Sequence, residues 1–256
     1  MLHFDHIVFG PVKSRRLGIS LGINLLPLRG KLCNFDCIYC ECGWNKDGCN
    51  DRLLPTCEAV KTALEARLQQ MSSSGEQPDA ITFSGNGEPT LHPAFSEIID
   101  EVVALRDLYA PNAKVCVLSN ATNVTKEGVF KALQKIDRPI LKLDSGLEAT
   151  ARLINCPQND YSIEKTVAAL QQFKGAFILQ TLFLRGEHKG VIIDNTTPEE
   201  IERWLTIVAR LRPMEVMIYT LDRATPAENL HKIPLEELKT IADKVGAMGI
   251  EAKVAG

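Results

Sequence analysis

Apolar, β-branched runs and amphipathic stretches take turns along nearly all of this 256-residue chain, and that alternation limits its architecture more than any other feature. The strand candidates are Ile19–Leu26, Ala80–Ser84, Lys114–Ser119, Ile140–Asp144, Ala176–Leu184 and Val216–Leu221. Helical spacing begins near Thr56, Pro93, Thr125, Ser162, Pro198 and Leu235. A strand followed by a helix, repeated, sends each strand in the same direction and so builds a parallel sheet. Some helix starts carry their own mechanism. Thr197-Pro198-Glu199-Glu200 supplies a capping hydroxyl, a proline at the first helical position and acids at the positive end of the dipole. After Glu58, Val60, Ala63, Leu64 and Leu68 recur at helical spacing until Ser72-Ser73-Ser74-Gly75 ends the run. Six such units fit one partial or whole (β/α) barrel, or a flat doubly wound sheet. In both, chemistry gathers on the loops at the carboxyl ends of the strands. The chain reads as one domain over residues 1–256, with a last short strand near Ile250–Gly256 and no room for a second domain.

Composition narrows the class. Hydrophobic residues make up 45 % and charged residues 24 %, a globular balance that excludes a disordered chain or a fibre. No run of about 18 apolar residues exists to span a membrane. Met1–Gly10 lacks the basic start and apolar stretch of an export signal, so a cytoplasmic chain is expected. A net charge of −3 exerts no global pull on nucleic acid. Against that background the eight cysteines stand out: Cys33, Cys37, Cys40, Cys42, Cys49 and Cys57 crowd together, while Cys116 and Cys156 lie alone. In a cytoplasmic chain such a crowd binds metal or does redox chemistry more often than it forms disulfides.

The sharpest motif is Cys33-Asn34-Phe35-Asp36-Cys37-Ile38-Tyr39-Cys40, placed in the loop after the first strand candidate. Three thiolates on a flexible loop can hold three irons of a cubane [4Fe-4S] cluster and leave the fourth open to a ligand. Two other readings stay open on spacing alone. Cys33, Cys37, Cys40 and Cys42 would make a four-thiolate zinc site, although the single residue between Cys40 and Cys42 suits one tetrahedral centre poorly. The thiols would otherwise be redox-active or idle.

A CxxxCxxC loop after the first strand, with the aromatic Tyr39 before its last cysteine, resembles the radical S-adenosylmethionine (radical SAM) superfamily. Gly10-Pro-Val-Lys-Ser-Arg-Arg-Leu-Gly-Ile-Ser-Leu-Gly-Ile-Asn-Leu-Leu-Pro27 is similar to the start of uncharacterised Fe–S oxidoreductases of the wyosine-synthase-like branch. The resemblance runs from about Phe9 to Ala252. It implies a partial (β/α)6 TIM-like barrel, a cluster held by Cys33, Cys37 and Cys40, and SAM bound to the open iron. One electron from the cluster would break the C5′–S bond, and the resulting 5′-deoxyadenosyl radical would take a hydrogen atom from a substrate. Gly85, Asn86, Gly87 and Glu88 resemble, as a variant, the segment that binds the amino group of SAM. Tyr39, Asn120, Lys142, Asp144 and Gln180 are the further cofactor-site candidates. Of these, Asp144 is assigned to the ribose and Lys142 to charge pairing, with an internal Lys142–Asp144 salt bridge as the alternative. Backbone groups of Tyr219–Arg223 would meet the adenine.

As substrate, a small molecule, a nucleoside or a protein all fit, and a reductant such as a flavodoxin or ferredoxin is implied. A glycyl-radical-enzyme activase and a non-catalytic iron–sulfur or zinc protein are the alternative functions. Arg185–Thr197 reads as a long charged loop, with Arg185, Glu187, His188 and Lys189, able to close over a substrate. Cys156 is a candidate hydrogen donor, and Cys42, Cys49, Cys57 and Cys156 are candidates for a second cluster. Lys13, Arg15, Arg16, Arg29 and Lys31 form a small basic region suited to a phosphate, a carboxylate or RNA.

Overall fold

Each of the six apolar runs becomes a strand of one sheet in the computed structural model, which describes residues 4–14, 16–48, 51–158 and 160–255. The strands are β1 (Val8–Ser14), β2 (Gly18–Ile23), β3 (Ala80–Phe83), β4 (Lys114–Ser119), β5 (Arg138–Lys142), β6 (Ile178–His188), β7 (Val191–Asp194), β8 (Glu215–Thr220), β9 (Leu230–Lys232) and β10 (Glu251–Ala255). The helices are α1 (Cys57–Ser73), α2 (Phe95–Tyr109), α3 (Glu127–Leu133), α4 (Glu148–Asn155), α5 (Ile163–Gln171), α6 (Pro198–Leu211) and α7 (Leu235–Gly246). The order β1-β2-β3-β4-β5-β6-β8-β10 is parallel from β2 to β10. β1 lies antiparallel on the outer edge of β2, and it does not pair with β10. The curved sheet is therefore a barrel left open along one seam.

Local chemistry explains the helix starts. Thr56, Ser162 and Thr197 each accept a backbone N–H three residues on, from Ala59, Lys165 and Glu200. The strands read out their own faces at period two. One face of β3, β4, β5, β6 and β8 packs on the helices through Ile81, Phe83, Val115, Val117, Leu141, Leu179 and Ile218. The other face turns inward. Its amino-terminal layer is an apolar floor of Ala80, Cys116, Ile140, Ile178 and Met217, closed by Leu17 and Leu118. The isolated Cys116 is thus a core residue. Two positions further along the same faces stand Thr82, Lys142, Gln180 and Tyr219, so polarity rises toward the carboxyl edge.

Four elements depart from the sequence reading. Val8–Ser14 is a strand despite Gly10-Pro11; as an edge strand with a register shift between Phe9 and Val12 it tolerates the proline. Glu148–Asn155 is the helix α4. Arg185–Thr197 is not a loop over the site. β6 runs on to His188, turns at Lys189-Gly190 and returns as β7, with β9 on its other flank. Arg185 is held there by Asp194 at 2.9 Å and by Glu237, so it serves this hairpin. The basic region is also divided: Lys31 is buried under the cysteine loop, and Arg29 lies apart with its N–H on Asp51. Arg15 lies outside the described residues.

Candidate active site

The cysteine loop is pinned across the carboxyl edge of the sheet by backbone bonds on three sides. Leu32 N donates to Asn86 O (2.8 Å) and Glu88 N to Leu32 O (3.1 Å), docking it on the loop after β3. Asp36 N donates to Asn155 O and Ile38 N to Ile154 O, both at 3.0 Å, docking it on the end of α4. Ala227 N closes the third side on Ile38 O at 3.1 Å. Phe35 and Ile38 are buried as anchors. The intervening cysteines face the strand ends: Cys33 Sγ lies 3.8 Å from Asn120 Nδ2, and Cys37 Sγ is 3.1 Å from Lys142 Nζ. Cys40 lines the adjoining cavity with Tyr39, Leu182 and Tyr219.

The electrostatics suit a group that arrives as a metal and displaces protons. Burial pushes the Cys33 thiol up to about 12 and Cys37 up to about 11. Cys40 is the exception, held down at about 5 by the S–H of Cys42, against burial, with help from Lys31; Cys42 is raised in turn. Lys31 and Lys142 flank the set. The Lys31 ammonium, 3 % exposed, donates to Gly43 O (2.8 Å) and Asp36 (3.1 Å). Burial opposes its charge, but Cys40, Cys33 and Cys37 hold it raised. One polar atom beside the thiols is orphaned. Asn155 is fully buried and its Oδ1 accepts from Cys37 Sγ at 3.4 Å, while its Nδ2 has no partner. A metal held by Cys37 would displace the S–H, and the same amide turned over would donate to the thiolate. Three thiols, two buried ammoniums and a waiting amide fit a [4Fe-4S] cluster bearing three protein ligands.

The strand-end candidates divide into those that face this space and those that hold it up. Lys142 sits 3.0 Å from Asp144 and 4.6 Å above the Tyr39 ring. Burial opposes its charge; Asp144 and Cys37 overcome that and keep it well raised. Asp144 is 0 % exposed. Its carboxylate accepts Tyr39 O–H at 2.7 Å, Leu182 N at 3.0 Å and the Lys142 ammonium. The ribose assignment therefore gives way to the internal salt bridge, with Asp144 behind Tyr39. Burial and this carboxylate keep the Tyr39 phenol protonated.

The Asn86 side chain serves the fold. Its buried amide donates to Phe4 O and Pro27 O, both at 2.8 Å, tying the amino-terminal segment to the loop. Gly87, at φ +133°, is needed for close approach: a Cβ there would stand 1.9 Å from Leu32 O. Gly85 O accepts from Cys42 Sγ at 3.4 Å. Glu88 accepts four donors: Thr90 N (3.1 Å), Thr90 Oγ1 (2.6 Å), Ser119 Oγ (2.8 Å) and Asn120 N (2.7 Å). Burial raises its carboxyl in spite of them. Asn120 bridges to Asn34 Oδ1 at 2.6 Å beside Cys33. Gln180 hydrogen-bonds Tyr219 and Arg16, which line the cavity.

Among the described residues, the other thiols are not assembled into a second centre. Among the described residues, no three histidine, cysteine, aspartate or glutamate side chains converge tightly enough for a single ion. A cubane takes each thiolate on a different iron and so spreads its ligands wider. Cys57 opens α1, Cys156 caps α4 in a left-handed conformation, and Cys49 lies outside the described residues. Sequence reasoning put Lys31, two residues before Cys33, in a basic region by the cysteine loop and missed Asn155 as a neighbour of the thiols. Asn155 gave no signal, because only the docking of α4 brings it to Cys37.

Comparison with known proteins places these residues in a family context. Residues 29–208 match the model of the Radical SAM superfamily. A UPF0026 protein of Methanocaldococcus jannaschii is 33 % identical over 239 residues, covering 91 % of this chain and 69 % of its own. A Brachyspira hyodysenteriae protein named GTPase Obg is 30 % identical over 236 residues, 91 % of this chain but 32 % of its own, so the present chain spans about a third of that relative. A radical SAM methyltransferase from Sphaerobacter thermophilus superposes with a TM-score of 0.69 at 16 % identity, over 92 % of this chain and 65 % of that one, which is a likeness of fold.

Proposed function

This chain belongs to the radical SAM superfamily, and from that premise we propose that it is an enzyme that reductively cleaves S-adenosylmethionine at a [4Fe-4S] cluster and takes a hydrogen atom from a substrate still to be identified. The observation that carries the reading is the placement of Cys33, Cys37 and Cys40 on one pinned loop over the carboxyl edge of a parallel sheet, with Lys31 and Lys142 beside them. When bound, the cluster and SAM supply the electron and the reactive carbon. The chain's own residues do the rest.

Cys33, Cys37 and Cys40 hold the cluster, and the two lysines offset the negative charge of three thiolates. The Gly85–Glu88 loop, docked on the cysteine loop through Leu32, offers backbone groups to the amino acid end of SAM; Glu88 and Asn120 fix its shape. Asp144 and Lys142 hold Tyr39 against the last two cysteines, so they orient the site from behind. Tyr219, hydrogen-bonded by Gln180, borders the cavity where the cofactor's nucleoside end and the substrate have to meet. A single-electron carrier such as a flavodoxin or ferredoxin completes the system. No helix among the described residues is long and apolar enough to cross a membrane.

The test is anaerobic reconstitution with iron and sulfide, reduction with SAM present, and mass detection of 5′-deoxyadenosine. The reading requires product in the wild type and none in a Cys33/Cys37/Cys40→Ala variant. Zinc in place of iron, or a cluster spectrum indifferent to SAM, would return the site to a structural or electron-transfer role.

A further inference from the structure

The cavity bordered by Tyr39 and Cys40 has a volume of about 350 Å³ and contains charge that the reading above leaves unused. Its described walls carry Lys13, Arg16 and Arg223 against Glu41 and Asp222. Arg223 is committed to Glu41 at 2.5 Å. Arg16 is different. It is half-buried, it reaches in from the turn between β1 and β2, and no carboxylate among the described residues pairs with it.

Its partners are neutral and they aim it. Arg16 N and Leu17 N both donate to Ser14 Oγ at 3.2 Å, which sets the turn and sends the side chain inward. Nη1 donates to Gln180 Oε1 at 3.2 Å, and the guanidinium lies 4.7 Å over the Tyr219 ring. Gln180 Nε2 donates to Tyr219 O–H at 2.7 Å, so the amide oxygen is fixed toward Arg16. One face and one N–H are thus held, and the rest of the five-donor fork stays available. A guanidinium drawn out of water with only neutral partners is poised for a planar oxyanion, which it meets with two parallel bonds. Lys13, on the same wall, adds a second positive charge.

We propose that Arg16 is the anion-binding residue of the substrate site, and that the substrate is a small molecule bearing a carboxylate or a phosphate. This deepens the function proposed above and rests on it. Held at Arg16, such a molecule lies in the same cavity as Cys40, where the reacting carbon is needed. The competing role for Arg16 is mechanical: it ties the β1–β2 turn to β6 and β8 across the open barrel.

Two substitutions separate these roles. Arg16→Met removes both the tie and the charge. Gln180→Glu keeps the tie and strengthens it, but supplies an internal carboxylate that occupies the fork. The reconstituted protein with SAM is titrated calorimetrically with inorganic phosphate and, separately, with succinate. Saturable binding of one probe is expected, weakened roughly tenfold or more by both substitutions; the preferred probe tells a phosphate from a carboxylate substrate. The proposal is overturned if the wild type binds neither probe, if both variants bind as the wild type does, or if Arg16→Met alone loses binding. Assay of 5′-deoxyadenosine on the same samples keeps the two readings apart. Arg16-dependent anion binding without SAM cleavage overturns the enzymatic reading alone.

Discussion

Replacing Lys142 with methionine should expose how the centre of the site is held together. The Lys142 and Asp144 side chains are 12 % and 0 % exposed and stand 3.0 Å apart. Methionine keeps most of the stem's volume and removes the charge, leaving a carboxylate with no cation in a closed space. Breaking a buried pair from one side costs about 3–5 kcal/mol. Tyr39 O–H and Leu182 N–H still serve the carboxylate, so the loss should fall near the lower end, about 3 kcal/mol. The double variant Lys142→Met/Asp144→Asn should recover most of it. The introduced asparagine has a carbonyl for Leu182 N–H and an amide N–H for Tyr39, whose hydroxyl turns round to accept. The stability of the double variant should therefore lie within about 1.5 kcal/mol of the wild type. Urea unfolding of the metal-free, reduced chain measures both, with metal binding kept out of the comparison. A single variant within about 1 kcal/mol of the wild type, or a double variant as weak as the single, would refute the internal pair and restore Asp144 as a group kept for a ligand.

Gly87→Ala puts a methyl group against Leu32 O and strains a left-handed backbone, so the cysteine loop must lift; iron per chain after reconstitution should drop sharply while the circular dichroism of the chain is retained. Cys42→Ala removes a donor to Cys40 and no proposed cluster ligand, so it should reconstitute with unchanged iron content, whereas Cys40→Ala should not. His92 is held below its ordinary 6.5 by burial, and its Nδ1 accepts Ala94 N–H. The unfolded chain takes that proton first, so the stability His92 contributes is whole above 6.5 and lost as pH falls through the folded value. Urea midpoints across that interval should flatten in His92→Gln. Asn155→Leu withdraws an N–H from the Cys37 thiolate, and the midpoint potential of the cluster, followed by electron paramagnetic resonance, should become more negative.

Much of the barrel was legible because its strands are buried on both faces and its helices on one. Lys114–Ser119 matches β4 residue for residue, and the other five strand candidates err by a few residues at their ends. The missed elements share a physical cause: their stability comes from neighbours, not from local pattern. α4 has eight residues, and no side chain caps its start at Leu147. It is stable because the cysteine loop docks on its last carbonyls. β1 contains Gly10-Pro11, a turn signal, and becomes a strand only by lying on the edge of β2. The charges of Arg185–Thr197 masked the alternation Val191-Ile192-Ile193, and the ion pairs that neutralise them form only once Glu237 is brought up by α7.

The same reasoning explains the site. Period-two spacing put Lys142 and Asp144 on one face, and the two side chains meet there, because facing is a local property of a strand. Depth is not. Asp144 follows the end of β5 and looks, from its spacing, as available to a ligand as Gln180 on β6. Yet the cysteine loop folds Tyr39 over Asp144 and leaves Gln180 beside the cavity. Asn86 differs from Gly85 and Gly87 by a side chain long enough to reach Phe4 and Pro27, and those partners come from the far end of the motif-bearing segment. A carboxylate or amide at a strand end can serve a ligand or stiffen what holds it, and which of the two it does is decided by the loop that closes above it. That loop here is the cysteine loop itself. The residues that build the proposed cluster site therefore also determine which polar groups remain open to a substrate, and Arg16, which enters from the β1–β2 turn, is left facing the cavity that Tyr39 and Cys40 border.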